Sequence, residues 1–224
     1  MTAVARELRR PNPIRLAGLL GVGLALCLTV ARAQTPAPSY ADLVAQAESG
    51  DPATDYTALR NAYAVSDGYD GYGMSTAGLI DALYPAFFKA KDCAKVIATS
   101  DQILKTDFTP ALVHFMRADC FKQTGDDARA DREAWIGSSL AHSLLGTGDG
   151  KSVATAYVVV TMAEERFVLT NMELNEENQA LLADGGHSYD LIEGKNEKTG
   201  VKASVYFKVD ALLAGTARAL QKAN

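Results

Sequence analysis

Three cysteines, three histidines and one tryptophan in 224 residues leave little material for several familiar chemistries. The histidines are His114, His142 and His187. No two of them stand at the H-x-x-x-H spacing that grips zinc from one helix face, so no metal is expected. No strand–turn–helix serine elbow and no cysteine–histidine pair suggests a nucleophile. The apolar run Leu16 to Val30 is shorter than the ~20 residues of a membrane-spanning helix, so stable membrane insertion is not expected. Beyond residue 33 basic clusters are missing too, which argues against nucleic acid and anionic lipid as partners.

The first residues hold an order that reads as an address. Arg6, Arg9, Arg10 and Arg15 precede the run from Leu16 to Val30, and the small-x-small triplet Ala31-Arg32-Ala33 follows. A basic start, an apolar middle and a small-residue cleavage site make a secretory signal peptide over residues 1–33, with delivery to the periplasm or the exterior. Removing residues 1–33 takes away five arginines and one glutamate. It leaves 17 basic against 26 acidic residues, a formal charge of about −9. Cys27 leaves with the leader, so Cys93 and Cys120 form an even pair in an oxidising compartment, where a disulfide is expected.

Residues 34–150 read as helical. Ser39 caps a helix over 40–48, stopped by Gly50-Asp51-Pro52, and a second helix runs over 53–65. SDGYDGYG, Ser66 to Gly73, is a turn-rich loop. Between 77 and 144, Asp92 and Asp126, then Ala94 and Ala128, repeat at 34 residues, the period of tetratricopeptide helix pairs. The second unit resembles that family, with helices over 111–123 and 127–144, small residues Ala118, Ala130 and Gly137, and Phe121 at an aromatic position. The first unit departs from it: Tyr84, Val96 and Ile103 replace small residues, and Pro85 interrupts its first helix. Antiparallel helices turning near Phe108 place Cys93 about 15 residues before the turn and Cys120 about 12 after it. At ~1.5 Å per residue that mismatch is small enough for the bridge.

From 151 to 224 a small α+β part is expected to pack on the helices within one composite domain. TAYVVVT, Thr155 to Thr161, reads as a central strand, and Ala163 to Thr170 as its continuation or partner. NEENQALLADGG reads as a short helix capped by Asn175. HSYDLIE and VKASVYFKV read as strands of a hairpin around GKNEKTG, and residues 211–222 as a final helix. The expected fold class is therefore α+β: tetratricopeptide-like helical hairpins beside a small antiparallel β-sheet.

The stretch GTGDGKS, Gly146 to Ser152, invites a phosphate-loop reading. The Walker pattern G-x-x-x-x-G-K-[ST] needs a glycine where Leu145 stands, and a strand before and a helix after, the reverse of the order here. A helix C-cap followed by a turn into a strand fits better. No nucleotide or other cofactor is expected. Glu164-Glu165 is the notable acid pair. On a strand, neighbours point to opposite faces, so one would be inward and need a partner such as Arg166 or Lys208. The tyrosines at 56, 63, 69, 72 and 84 are dense, and Tyr69 and Tyr72, in a loop, are the best candidates for a ligand-binding role.

Spaced stretches resemble an exported bacterial family known as a domain of unknown function: LRNAYAVSDGYDGYG, GDGKSVATAYVVVTMAEERFVL, HSYDLIEG and VYFKVD. That resemblance, over about 56–210, implies an exported mixed domain and supplies no catalytic residue. The function expected is a non-enzymatic envelope module binding a protein, peptide or saccharide. The alternative is a hydrolase-type enzyme using Glu164 or Glu165 with His187 or Asp190; a structural subunit with a wide apolar face is a third reading. An open pocket uniting Glu165 with His187 would favour the enzyme.

Overall fold

The architecture comes from a computed structural model, and the structure describes residues 37–223. The leader reading of residues 1–33 lies outside the described residues. Among those described, no helix is long and apolar enough to cross a membrane.

The helical half is built on local capping. Helix α1, Tyr40–Ser49, starts at a reciprocal capping box between Ser39 and Asp42 and ends at Gly50 in the left-handed region. Helix α2 is Tyr56–Ala64, α3 is Ala77–Pro85, α4 is Cys93–Thr106, α5 is Ala111–Gln123 and α6 is Asp127–Leu145. Asp55, Asp92 and Asp126 each sit one residue before a helix and accept the N–H three residues on. At Pro85, which has no N–H to donate, α3 passes into a π turn, Ala86–Ala90, ended by Lys91 at φ 54°. Cys93, at the start of α4, is bonded to Cys120, near the end of α5, with the Cα atoms 5.0 Å apart. The two helices are therefore antiparallel neighbours, and the expected disulfide is present.

The second half adds a four-stranded sheet of order β1-β4-β3-β2, with β1 Tyr157–Val158, β2 Leu174–Asp184, β3 His187–Asn196 and β4 Lys202–Lys208. Helix α7, Met162–Asn171, precedes β2, and α8, Asp210–Ala223, closes the chain. The fold class is α+β, and the sheet is antiparallel except for β1, which runs parallel to β4.

Three local expectations are corrected. Of Thr155 to Thr161 only Tyr157 and Val158 pair, at the sheet edge. Val159 and Val160 are fully buried but cross between layers. Ala163 to Thr170 is helical in α7. Its buried residues Glu164, Glu165, Val168 and Leu169 repeat at i, i+4, a helical period masked by the preceding β-branched run. The segment read as a helix from Asn175 is β2, which pairs with β3 from Leu174↔Asn196 to Asp184↔His187. Its Glu, Gln, Ala and Leu content favours helix, and the ladder overrides that weak preference.

Two apolar clusters fill the interior. One gathers α1 to α6 around Leu59, Leu83, Ile103 and Met116. The other sets Tyr63, Val160, Val168 and Leu212 against the sheet residues Ile192, Val205 and Phe207. Tyr40 and Phe167 touch both.

The glycine loop at 146–152 is a packing device. Gly150, at φ 67°, accepts the N–H of Tyr206 on its carbonyl, and a Cβ there would meet Tyr157 at 2.7 Å and Val205 at 2.8 Å. Lys151 is paired with Asp149 at 2.9 Å.

Candidate functional site

The acid pair on α7 does not form the expected site. Glu164 is buried against Arg60 of α2, with Arg60 Nε donating to Oε1 at 2.6 Å and Nη2 to Oε2 at 3.0 Å. Its partner is therefore neither Arg166 nor Lys208. Arg60 also donates to the Val158 carbonyl and Ser143 Oγ, and Glu164 accepts the Val160 N–H at 2.7 Å. Glu165 is 1 % exposed and neither carboxylate oxygen has a partner among the described residues. Burial pushes its pKa up to about 8, and the charges of Asp190 and Glu176 push the same way.

The remaining enzyme candidates are held apart. His187 Nδ1 lies 2.6 Å from Asp210 Oδ2, not beside Asp190. Asp190 is buried and accepts a hydrogen bond from Gln179 Nε2 at 2.8 Å. Neither Glu165 nor His187 lines any of five well-formed cavities among the described residues. The described residues also contain no group of three His, Cys, Asp or Glu able to hold a metal. His114 is buried, its Nδ1 2.7 Å from Glu133 Oε2 and its Nε2 2.9 Å from the Phe108 carbonyl. His142 lies exposed in the last turn of α6.

The loop tyrosines separate into two roles. Tyr69 is 6 % exposed, and its hydroxyl donates to the Val160 carbonyl at 2.6 Å. Its ring lies so close to Gly71 and Gly215 that a Cβ at either would overlap it. Tyr69 is therefore an anchor, not a ligand platform. Tyr72 is 42 % exposed and stands at the rim of a cavity of about 290 Å³.

That cavity lies between the loop, α3, the α4–α5 turn and the first turns of α7. Ile80, Ile103, Leu112, Val113 and Phe167 supply apolar wall, and Tyr72, Met74 and Tyr84 continue it outward. The polar lining is Asp70, Asp81, Asp107 and Arg166, with Thr76 and Thr161. No histidine or cysteine lines it.

Its walls are pre-organised. Asp70 accepts from Met74 N–H at 3.0 Å, Ser75 N–H at 2.7 Å and Ser75 Oγ at 2.6 Å, which fixes the loop carrying Tyr72. The Met162 N–H donates to the Gly71 carbonyl at 2.8 Å, tying α7 to the same loop. In the α4–α5 turn, Phe108 N–H donates to Tyr40 Oη at 2.8 Å, and the Phe108 carbonyl lies against His114.

Asp107 follows α4 directly and is 7 % exposed. Its Oδ1 accepts from Thr109 N–H at 2.8 Å and Thr109 Oγ1 at 2.6 Å, while Oδ2 has no partner among the described residues. An acid at a helix C-terminus is set against the helix dipole. Burial pushes its carboxyl up to about 7; the Thr109 hydrogen bonds oppose this, and the charges of Glu164 and Asp70 add to it. Asp70 goes the other way: burial disfavours its charge, but the hydrogen bonds from Ser75 and Met74 outweigh burial and hold it below the usual range. Thr161, before α7, is 1 % exposed and its Oγ1 is unpartnered among the described residues. The cavity therefore offers apolar walls and a carboxyl whose charge changes near neutral pH.

Asp107 and Thr161 were missed in the sequence. The only local trace is D-F-T-P between two helices, where an acid and a threonine two residues on form a side-chain turn.

These features define an α+β domain with a loop-rimmed, acid-lined cavity. The chain belongs to the family described as "Domain of unknown function (DUF4919)", whose model matches residues 37–218. No curated protein and no solved structure matches it.

Proposed function

We propose that the chain is an exported, non-enzymatic binding module whose ligand enters the cavity beside Tyr72. The observation that carries this reading is the pairing of a preformed apolar cavity with a carboxylate oxygen in its lining, Asp107 Oδ2, that has no hydrogen-bond partner among the described residues. A concave, largely apolar site with a few placed polar groups is the usual form of a small-ligand site, and about 290 Å³ falls at the small end of the range. Either a small molecule or one peptide side chain would fit it. Export rests on the basic, apolar and small-residue order of residues 1–33. The tetratricopeptide-like reading places α4 to α6 as the scaffold behind the cavity.

The hydrolase alternative has less support. Glu164 is committed to Arg60, His187 to Asp210 and Asp190 to Gln179. Amide chemical-shift mapping with a fragment library tests the binding reading. Shifts confined to Gly71–Thr76, Val113 and Thr161–Phe167 are expected. Absence of such a cluster, or a cluster around Glu165 and His187, overturns it.

A further inference from the structure

The chemistry of the cavity lining narrows the class of ligand. Three acids, Asp70, Asp81 and Asp107, line it against one cation, Arg166, which is exposed and forms no ion pair among the described residues. Asp70 is saturated by the loop it organises. Asp107 keeps one oxygen free of hydrogen bonds. The start of α7, which would otherwise attract an anion, is already served: Glu164 lies in its first turn and accepts the Val160 N–H, and the Gly71 carbonyl accepts the Met162 N–H.

From this geometry, and resting on the binding reading above, we propose that the cavity takes a small primary amine with an apolar body. The ammonium donates to Asp107 Oδ2, and the body lies against Ile80, Ile103, Val113 and Phe167. An ammonium carries three donors and no acceptor, which matches a carboxylate oxygen left without a donor. Bound there, it also supplies the counter-charge that buried Asp107 lacks. The charged and titratable groups facing Asp107 are Asp70, Asp81 and Arg166 in the cavity, Glu164 from α7, and Tyr40, Tyr63 and Tyr69 behind it. Binding therefore strengthens as pH rises and Asp107 ionises, until the amine itself loses its proton.

The test uses phenethylamine, with 3-phenylpropionate and 2-phenylethanol as anionic and neutral counterparts, titrated into the protein and followed by amide shifts. The amine is expected to bind at least tenfold tighter than either counterpart at pH 8, and at least tenfold tighter at pH 8 than at pH 5. Asp107→Asn keeps the size and the Oδ1 acceptor, and its fold is checked by thermal melt. It should lose at least tenfold in amine affinity and little in alcohol affinity. Equal or tighter binding of the carboxylate, with shifts still centred on Tyr72 and Val113, overturns the amine assignment and leaves the binding site standing. No shift in the cavity residues with any of the three probes overturns both.

Discussion

Arg60 and Glu164, 104 residues apart in sequence, meet as a two-point ion pair in the interior, with Nε to Oε1 at 2.6 Å and Nη2 to Oε2 at 3.0 Å. The same guanidinium holds the Val158 carbonyl, and the same carboxylate holds the Val160 N–H. This cluster joins α2, the crossing segment at 158–160 and α7, and so fixes the α7 end of the cavity. Removing one partner leaves the other charged and buried. Arg60→Ala or Glu164→Ala is expected to destabilise the fold by about 3–5 kcal/mol. The double variant Arg60→Met, Glu164→Leu should lose much less than the sum of the singles. Urea unfolding of the four proteins checks this, and additive losses would count against a coupled pair.

Glu165, two turns of chemistry away in character though adjacent in sequence, has no such partner. Its folded pKa of about 8 lies above the ordinary 4.5. A raised acid pKa means the folded state holds a proton that the unfolded state releases. The contribution is fully present below about pH 4.5 and is lost as pH rises through about 8. Asp107, raised from 3.8 to about 7, acts in the same direction. Wild-type stability should therefore fall between pH 5 and pH 8. Glu165→Gln should change little at pH 4.5 and gain on the order of a few kcal/mol at pH 8.5. Urea midpoints across that range decide it; a variant curve parallel to wild type would refute the burial account.

The Cys93–Cys120 bridge closes a segment with a sequence separation of 27. In the chain-entropy account a loop of that size contributes about 3.5 kcal/mol. Cys93→Ser with Cys120→Ser should lower the melting temperature by several degrees while α4 and α5 remain helical by circular dichroism. Loss of helicity would show that the bridge defines the hairpin instead of fastening it.

Tyr69 and Tyr72, three residues apart, should respond differently to substitution. Tyr69→Phe removes the donor to the Val160 carbonyl and should cost about 1 kcal/mol in stability. Tyr72→Ala should change stability by less than about 0.5 kcal/mol, as expected for a half-exposed rim residue, yet weaken ligand uptake. Thermal melts and fragment titrations on both variants separate an anchor from a contact.

Where the physics is local, the sequence was legible. Ser39 marks the start of α1 through a bond to backbone three residues away, whereas the second helix, expected from residue 53, starts at Tyr56 behind its cap Asp55. The lengths of α4 and α5 were enough to bring the cysteines together. Where partners come from afar, it was not. β2 has the composition of a helix and is a strand because β3 pairs with it. Glu164 and Glu165 look alike in sequence. Only the arrival of Arg60 from α2 separates a paired carboxylate from an orphaned one. Tyr72 was legible as an aromatic in a glycine-rich loop. The burial of Asp107 arises from several elements converging on one turn, and no short window of sequence records that.

The most direct test of the cavity as an amine site is a carboxyl ¹³C titration of Asp107, with and without saturating phenethylamine. The account predicts a midpoint near pH 7 in the free protein, as burial dictates, falling by at least one unit when the amine occupies the cavity. A free midpoint near 4, or a midpoint that does not move while the amine binds, would contradict it.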